Sequence, residues 1–291
     1  DVVVHGGDLL FRSRVGGELF AAALEPLLRV ADAGVPVLLV PGNHERSRLP
    51  YPLLGAHRHL HVFDRPRSFT LPVAGTTVVA CGFPCERAEI RDRFGALVAA
   101  AAPPPGAVRV LCLHQTVEGA TVGPADYVFR AGADVLPGRA IPDGFAAVLA
   151  GHIHRHQVLS HDLSGRPLPA PVLYPGSVER TSFAERDEPK GSLILEIEPS
   201  NAGGRLTGWG FHELPTRPMR VVSVRVGALS AAALRERLAA TLAPLPPDAV
   251  VQLHLEGEVT SDAGDALRAA ELRRLHPPTM LVELRLPRRS G

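Results

Sequence analysis

The sequence is short of lysine, cysteine and aromatic residues. Lys190 is the only lysine among 31 basic residues, and 30 acidic residues nearly balance them, so the net charge is +1. That balance excludes a chain coated in positive charge, although it permits a local basic cleft. Three cysteines are too few for a disulfide framework or a four-thiolate zinc site. Because aromatic residues make up only 5%, we expect no platform on which single-stranded bases could stack.

Long apolar runs are also missing, so we expect no membrane partner. A membrane-spanning helix needs about 20 consecutive apolar residues, and the 45% hydrophobic and 21% charged content is that of a globular chain. No secretory leader follows Asp1, and the few thiols suit a reducing compartment, which predicts a cytoplasmic protein. The chain opens inside a strand pattern without a methionine, and we expect a further segment to precede it.

The apolar pattern predicts an α/β protein with two domains. Helical patterns cover residues 18–33 and 86–101, and the first ends at Gly34. Strand patterns bounded by turn residues cover 2–4, 35–40, 60–63, 76–82, 108–113, 146–150, 158–160, 172–174, 192–198 and 205–212. Alternating strands and helices followed by strands alone predict two stacked β-sheets flanked by helices. A β-α-β-α-β pattern then restarts, which predicts domains at residues 1–214 and 219–291.

Polar residues follow several of the predicted strands. They are Asp8, Asn43, His44, His114, His152 and His154. Because the carboxyl ends of parallel strands meet at one edge of a sheet, we expect these side chains to lie together. Carboxylate, amide and imidazole ligands suit manganese, iron or zinc. Each residue taken singly is more typical of a turn or a solvated surface than of a metal site. Together they predict a metal site.

The order of these motifs resembles that of the calcineurin-like metallophosphoesterases: Gly-Asp, Gly-Asn-His-Glu, a strand ending in His, and Gly-His-x-His. The resemblance implies an αββα sandwich that holds two divalent metal ions, Mn²⁺ first, with Fe or Zn as alternatives. It implies that Asp8 bridges the metals and that Asn43, His114 and His152 complete the first site. His154 then belongs to the second metal.

A longer segment makes the resemblance more specific within this family. Residues 174–183 contain Tyr-Pro-Gly-Ser-x-Glu-Arg and, with the C-terminal α/β pattern, resemble the SbcD-type DNA repair nucleases of SbcCD-like complexes. The resemblance implies a DNA exo/endonuclease with a small C-terminal α/β capping domain. It also implies DNA, an SMC-like ATPase and a second copy of the chain as partners. His44 then acts as general acid, and Arg46 and Arg180 are candidates for phosphate contacts.

Three departures from the nuclease pattern keep other functions open. No Asp-x-His motif precedes Asp8, Phe11 stands where those nucleases have a histidine, and the chain stops before an ATPase-docking segment. We therefore expect an incomplete second metal site, impaired nuclease activity and weakened ATPase binding. One alternative is a small-molecule or cyclic-nucleotide phosphodiesterase of the same superfamily. The other is a non-catalytic DNA-end-binding protein with a degraded metal site.

Overall fold

The computed structural model describes residues 1–12, 14–44, 54–101, 104–105, 108–227, 229–257, 264 and 267–286. The chain divides into two compact units. The first unit consists of Asp1–Val178 and Pro189–Leu214, and the second consists of Glu179–Glu188 and Pro215–Gly291. Among the described residues, no helix combines the length and apolar character needed to cross a membrane.

Among its described residues the first unit contains two main β-sheets and the helices α1 (Gly17–Asp32) and α2 (Ile90–Ala101). Its strands are β1 (Val3–His5), β2 (Val37–Leu39), β3 (Leu60–Val62), β4 (Arg67–Val73), β5 (Thr76–Gly82), β6 (Val108–His114), β7 (Thr116–Val117), β8 (Thr121–Val122), β9 (Tyr127–Val128), β10 (Val135–Leu136), β11 (Ala147–Gly151), β12 (Gln157–His161), β13 (Pro167–Tyr174), β14 (Gly191–Glu198) and β15 (Arg205–Glu213). Strands β1, β2 and β3 form one parallel sheet. The second sheet runs in the order β12-β13-β11-β6-β5-β4, with antiparallel strands at both edges.

The two main sheets are stacked, because alternate side chains of each strand enter different core layers. Leu38 packs with Ala80 and Val110 between the sheets. Its neighbour Leu39 packs with the residues of α1, and Leu111 packs with those of α2. The layers are therefore helix, sheet, sheet and helix. The predicted fold class is confirmed.

The start of α2 differs from its prediction. The sequence pattern places the helix from residue 86, but it begins at Ile90. Glu89 has a φ of +58°, in the left-handed region, where no residue can continue a right-handed helix. The preceding residues therefore belong to the loop that follows β5.

A buried tyrosine ties β13 to the segment that follows β6. The Tyr174 hydroxyl donates to the backbone oxygen of Gln115 (2.8 Å) and accepts from the backbone N–H of Val117 (2.9 Å). In Tyr174→Phe both buried backbone groups lose their partner, so we expect the free energy of unfolding to fall by about 2–4 kcal/mol. Chemical denaturation measures this change. Tyr127→Phe, at a tyrosine that is 62% exposed, is the matched control, and equal losses in both variants would contradict the assignment.

The second unit is a small parallel sheet with helices. Among the described residues its main elements are β16 (Met219–Arg225), α3 (Ala231–Leu242), β17 (Val250–Glu256), α4 (Ala269–Leu272) and β18 (Leu281–Arg285), with the strands in the order β16-β17-β18. Leu234 of α3 packs against Leu253 of β17. Ser230 caps α3, since its hydroxyl accepts from the backbone N–H of Ala233 (3.3 Å).

Residues Glu179–Glu188 were expected in the first domain, within residues 1–214, but they group with the second unit. The backbone N–H of Arg217 donates to Glu179 Oε2 (3.2 Å). The Arg180 guanidinium donates to Thr216 Oγ1 (2.6 Å) and to the backbone oxygens of Glu188 and Arg217. These bonds between segments far apart in sequence explain why Glu179–Glu188 groups with the second unit. The domain bounds 1–214 and 219–291 stay a prediction.

Candidate metal centre

Four strand exits from both main sheets meet at one edge of the sandwich. Asp8 follows β1 and Asn43 follows β2, which is the parallel neighbour of β1. In the second sheet His114 ends β6, directly opposite Gly151 of β11, and His152 follows. Parallel pairing therefore brings residues more than a hundred positions apart into one site.

The functional atoms of Asp8, Asn43, His114 and His152 converge. Asn43 Oδ1 lies 3.0 Å from His114 Nε2 and 2.9 Å from His152 Nδ1. Asp8 Oδ2 lies 3.3 Å from His114 Nε2, and the ligand atoms of the aspartate and the two histidines are all within 4.8 Å of one another. Ligands bound at about 2.1 Å to one cation lie roughly 3.0–3.4 Å apart, so these separations suit a single metal ion.

The proton arrangement of His114 also suits a metal. His114 is only 1% exposed, and its Nδ1 lies 2.6 Å from the backbone oxygen of Gly6, to which it donates. With Nδ1 donating to that carbonyl, Nε2 faces the oxygens of Asp8 and Asn43 and carries either a proton, which makes the imidazole cationic, or a bound metal ion. Acceptor atoms that converge in this way repel each other unless a proton or a cation lies among them. A backbone carbonyl that holds the far nitrogen of a histidine is a common outer-shell partner of metal ligands.

The surroundings of His152 and Asp8 favour the protonation states that bind a metal ion, a neutral imidazole and an ionised carboxylate. Burial and the charge of His114 lower the pKa of His152 to about 4, so its imidazole is neutral at pH 7. Burial opposes ionisation of Asp8, but the hydrogen bond and charge of His114 and the backbone N–H of His44 outweigh it. The pKa of Asp8 is therefore about 2. Burial and His114 likewise lower the pKa of His5, just behind the site, to about 4.

Two of the converging residues have a strained backbone. Asp8 has a φ of +54° and His152 a φ of +82°, in the region that favours glycine. Such conformations cost on the order of 1–3 kcal/mol each, and they persist where the surrounding structure imposes them, often at functional sites. Here the turns that carry this strain bring both side chains together with His114.

Gly42 has room for no side chain, because a Cβ there would overlap the Asp8 carboxylate. In Gly42→Ala the carboxylate must move, and we expect Mn²⁺ binding to weaken roughly 10- to 100-fold, as when a group that orients a ligand is lost. Gly95 of α2 is the matched control, since its Cβ would meet open space, and Gly95→Ala should leave the affinity unchanged. Isothermal titration measures both, and wild-type affinity in Gly42→Ala would show that the close approach is unimportant.

His44 lies beside the converging atoms without being one of them. Its backbone N–H donates to Asp8 Oδ1 (3.1 Å), whereas its Nε2 is 3.8 Å from Asp8 Oδ2. The side chain is 44% exposed. The imidazole is therefore held near the ligand carboxylate but can still reach a bound molecule.

The structure does not bring His154 into the same set. Among the described residues, the group of close ligand atoms contains Asp8, His114 and His152. The backbone oxygen of His154 accepts from the N–H of Ser177 (3.1 Å) and from Lys190 Nζ (2.8 Å). Its main chain is thus anchored, and its assignment to a second metal stays a prediction.

Comparison with known proteins identifies the scaffold. The model of the family described as calcineurin-like phosphoesterase matches residues 1–156, which is more than half of the 291 residues. The chain belongs to the calcineurin-like phosphoesterase family. This confirms the resemblance that the motifs indicated, and the match contains all four converging residues. The family uses divalent metal ions, and the donor set described above fits one.

The chain is also similar to a DNA repair protein. It is 29% identical over 244 residues to the DNA double-strand break repair protein Mre11 of Methanopyrus kandleri. The similarity covers 77% of this chain and 50% of that protein, so the chain spans about half the length of the relative. It relates this calcineurin-like phosphoesterase to a DNA double-strand break repair protein.

The structure describes only one of the two candidate phosphate contacts, Arg180. Arg46 lies outside the described residues. The Arg180 guanidinium already bonds within the second unit, and its contact with DNA stays a prediction.

Two residues that hold the backbone of site residues were not predicted from the sequence. Arg87 donates to the backbone oxygen of Asn43, and the fully buried Lys190 holds His154. The rarity of lysine marked Lys190 in the sequence, and nothing comparable marked Arg87 among the arginines.

Proposed function

We propose that this calcineurin-like phosphoesterase is a metal-dependent DNA phosphodiesterase, an SbcD-like exo/endonuclease acting in DNA repair. The observation that carries the proposal is the convergence of Asp8, Asn43, His114 and His152, with the exposed imidazole of His44 beside them. The family membership supports phosphoester hydrolysis. The similarity to Mre11 supports DNA as the substrate.

In this proposal each residue has a defined task. Asp8, Asn43, His114 and His152 hold the first divalent metal, with Mn²⁺ the first choice among ions that accept oxygen and imidazole ligands. Bound metal would polarise the phosphodiester and supply hydroxide near neutral pH. His44 donates a proton from its imidazole to the leaving oxygen. His154 contributes to a second metal.

The proposal includes the partners that the resemblance implies. Residues 219–291 act as a capping domain that helps to position DNA, and Arg46 and Arg180 contact its phosphates. A second copy of the chain and an SMC-like ATPase are further partners. With a net charge of +1, DNA affinity must come from a local group of arginines, and it should fall steeply between 50 and 200 mM salt.

The test is turnover in excess Mn²⁺ on two substrates, linear duplex DNA and bis-p-nitrophenyl phosphate. We expect cleavage of both, inhibition of the small diester by DNA, and no turnover by Asp8→Asn on either. Hydrolysis of the small diester with neither cleavage nor binding of DNA would replace the proposal with a small-molecule phosphodiesterase. DNA binding without turnover in Mn²⁺, Fe²⁺ or Zn²⁺ would replace it with a non-catalytic DNA-end-binding protein.

A further inference from the structure

Phe11 is a large apolar side chain in water at the edge of the metal centre. It lies three residues after Asp8 and is 73% exposed. Its neighbour Leu10 is 4% exposed and packs in the cluster beneath α1. The buried leucine anchors the loop, so the adjacent phenylalanine is turned outward and not into the core.

The surroundings of Phe11 connect it to the catalytic residues. Its ring is stacked on the His44 imidazole, with centroids 6.2 Å apart and planes 24° from parallel. The Arg12 guanidinium lies over the ring, 5.1 Å from its centroid. Since the His44 backbone N–H bonds to Asp8, a single residue separates the aromatic ring from the metal-ligand carboxylate.

An exposed aromatic ring with a guanidinium over it can bind both parts of a nucleotide, the base and the phosphate. Nucleobases stack on aromatic side chains whatever their sequence, because every base has a π-face, and arginine adds cation–π attraction. Arginine also bonds phosphate oxygens through its planar fork. A substrate whose phosphate lies at the converging ligands has its neighbouring base close to Phe11.

We propose that Phe11 and Arg12 form a nucleobase-stacking subsite beside the metal centre. The subsite rests on the proposed DNA phosphodiesterase function and deepens it, because it binds the nucleotide next to the scissile phosphate. It revises the expectation that the few aromatic residues offer no stacking surface. Phe11 stands where a histidine was expected, and its role is to bind a base.

The experiment compares the binding of two single-stranded 12-nucleotide oligomers in Mn²⁺, both with phosphorothioate linkages to slow hydrolysis. One carries thymine bases and the other is abasic, so both present the same phosphates. We expect Phe11→Ala to weaken binding of the thymine oligomer about tenfold, the usual scale for loss of one stacking partner. Binding of the abasic oligomer should change less than about twofold, and Phe11→Tyr should restore thymine binding.

Two further variants exclude indirect effects. Tyr127→Ala removes another exposed aromatic ring of the first unit and should change neither affinity. The chain has one tryptophan, so Phe11→Trp combined with Trp209→Phe places the sole tryptophan at the subsite. Its fluorescence should be quenched by the thymine oligomer and not by the abasic one.

The possible results distinguish a failure of the stacking subsite from a failure of the proposed DNA phosphodiesterase function. If wild-type protein cleaves DNA but Phe11→Ala weakens both oligomers equally, or neither, the subsite is wrong and the nuclease function stands. The absence of base-dependent quenching at position 11 overturns the subsite in the same way. If wild-type protein binds neither oligomer yet hydrolyses bis-p-nitrophenyl phosphate, the DNA function is wrong and the nucleobase assignment is wrong with it.

Discussion

His44→Ala should keep the bound metal ion and lose DNA cleavage by about 10²- to 10⁴-fold, the range typical of a lost general acid. The metal should remain because the His44 side chain is not one of the converging ligands, and the bond from residue 44 to Asp8 uses the backbone N–H, which alanine retains. The proton donor is lost because Nε2, held 3.8 Å from Asp8 Oδ2, is removed. Metal analysis and turnover in excess Mn²⁺ measure the two effects.

The leaving group provides a sharper control for the same prediction. An alkoxide leaving from DNA needs a proton, whereas p-nitrophenolate leaves readily without one. His44→Ala should therefore lose far less activity on bis-p-nitrophenyl phosphate than on DNA. Asp8→Asn should lose metal and activity on both substrates. Equal metal loss in the His44 and Asp8 variants, or equal activity loss on both substrates, would remove His44 from the general-acid role.

The sequence was informative about the site because the ligands stand where buried parallel strands end. Strand patterns ending just before Asp8, Asn43, His114 and His152 were visible in the apolar residues, and parallel strands share an edge. What the pattern could not supply is the backbone strain at Asp8 and His152. It also could not supply the hydrogen bond from His114 Nδ1 to the backbone oxygen of Gly6. Both features depend on contacts between segments distant in sequence.

An edge strand and long-range bonds are the features that the sequence did not predict. The strand β4 was missed because Pro72 counts against a strand, yet β4 lies at the edge of its sheet, where proline is tolerated. The grouping of Glu179 with the second unit depends on the bond from Arg217 to Glu179, which crosses 38 positions and leaves no local pattern in the sequence. The φ of +82° at His152 turns the chain just before His154, and the strand pattern does not predict that turn.

The 291-residue chain should retain one divalent ion per molecule after dialysis, and His152→Ala should lose it. The four converging donors make one site, and His154 is not in the group of close ligand atoms among the described residues. Loss of a direct ligand should weaken Mn²⁺ affinity by more than the roughly 10- to 100-fold that outer-shell partners contribute. His154→Ala is the matched control from the same turn, and it should keep one ion.

Thermal unfolding provides an independent measure of the same ion. An ion present at 100 times its dissociation constant stabilises the folded state by about 2.7 kcal/mol, so a chelator should lower the unfolding midpoint of wild type and of His154→Ala alike. The same chelator should leave His152→Ala unchanged, since that variant has no tight ion to lose. If wild type instead retains two ions and His154→Ala retains one, the single-site reading is wrong. The second metal of the family is then held tightly by this chain as well.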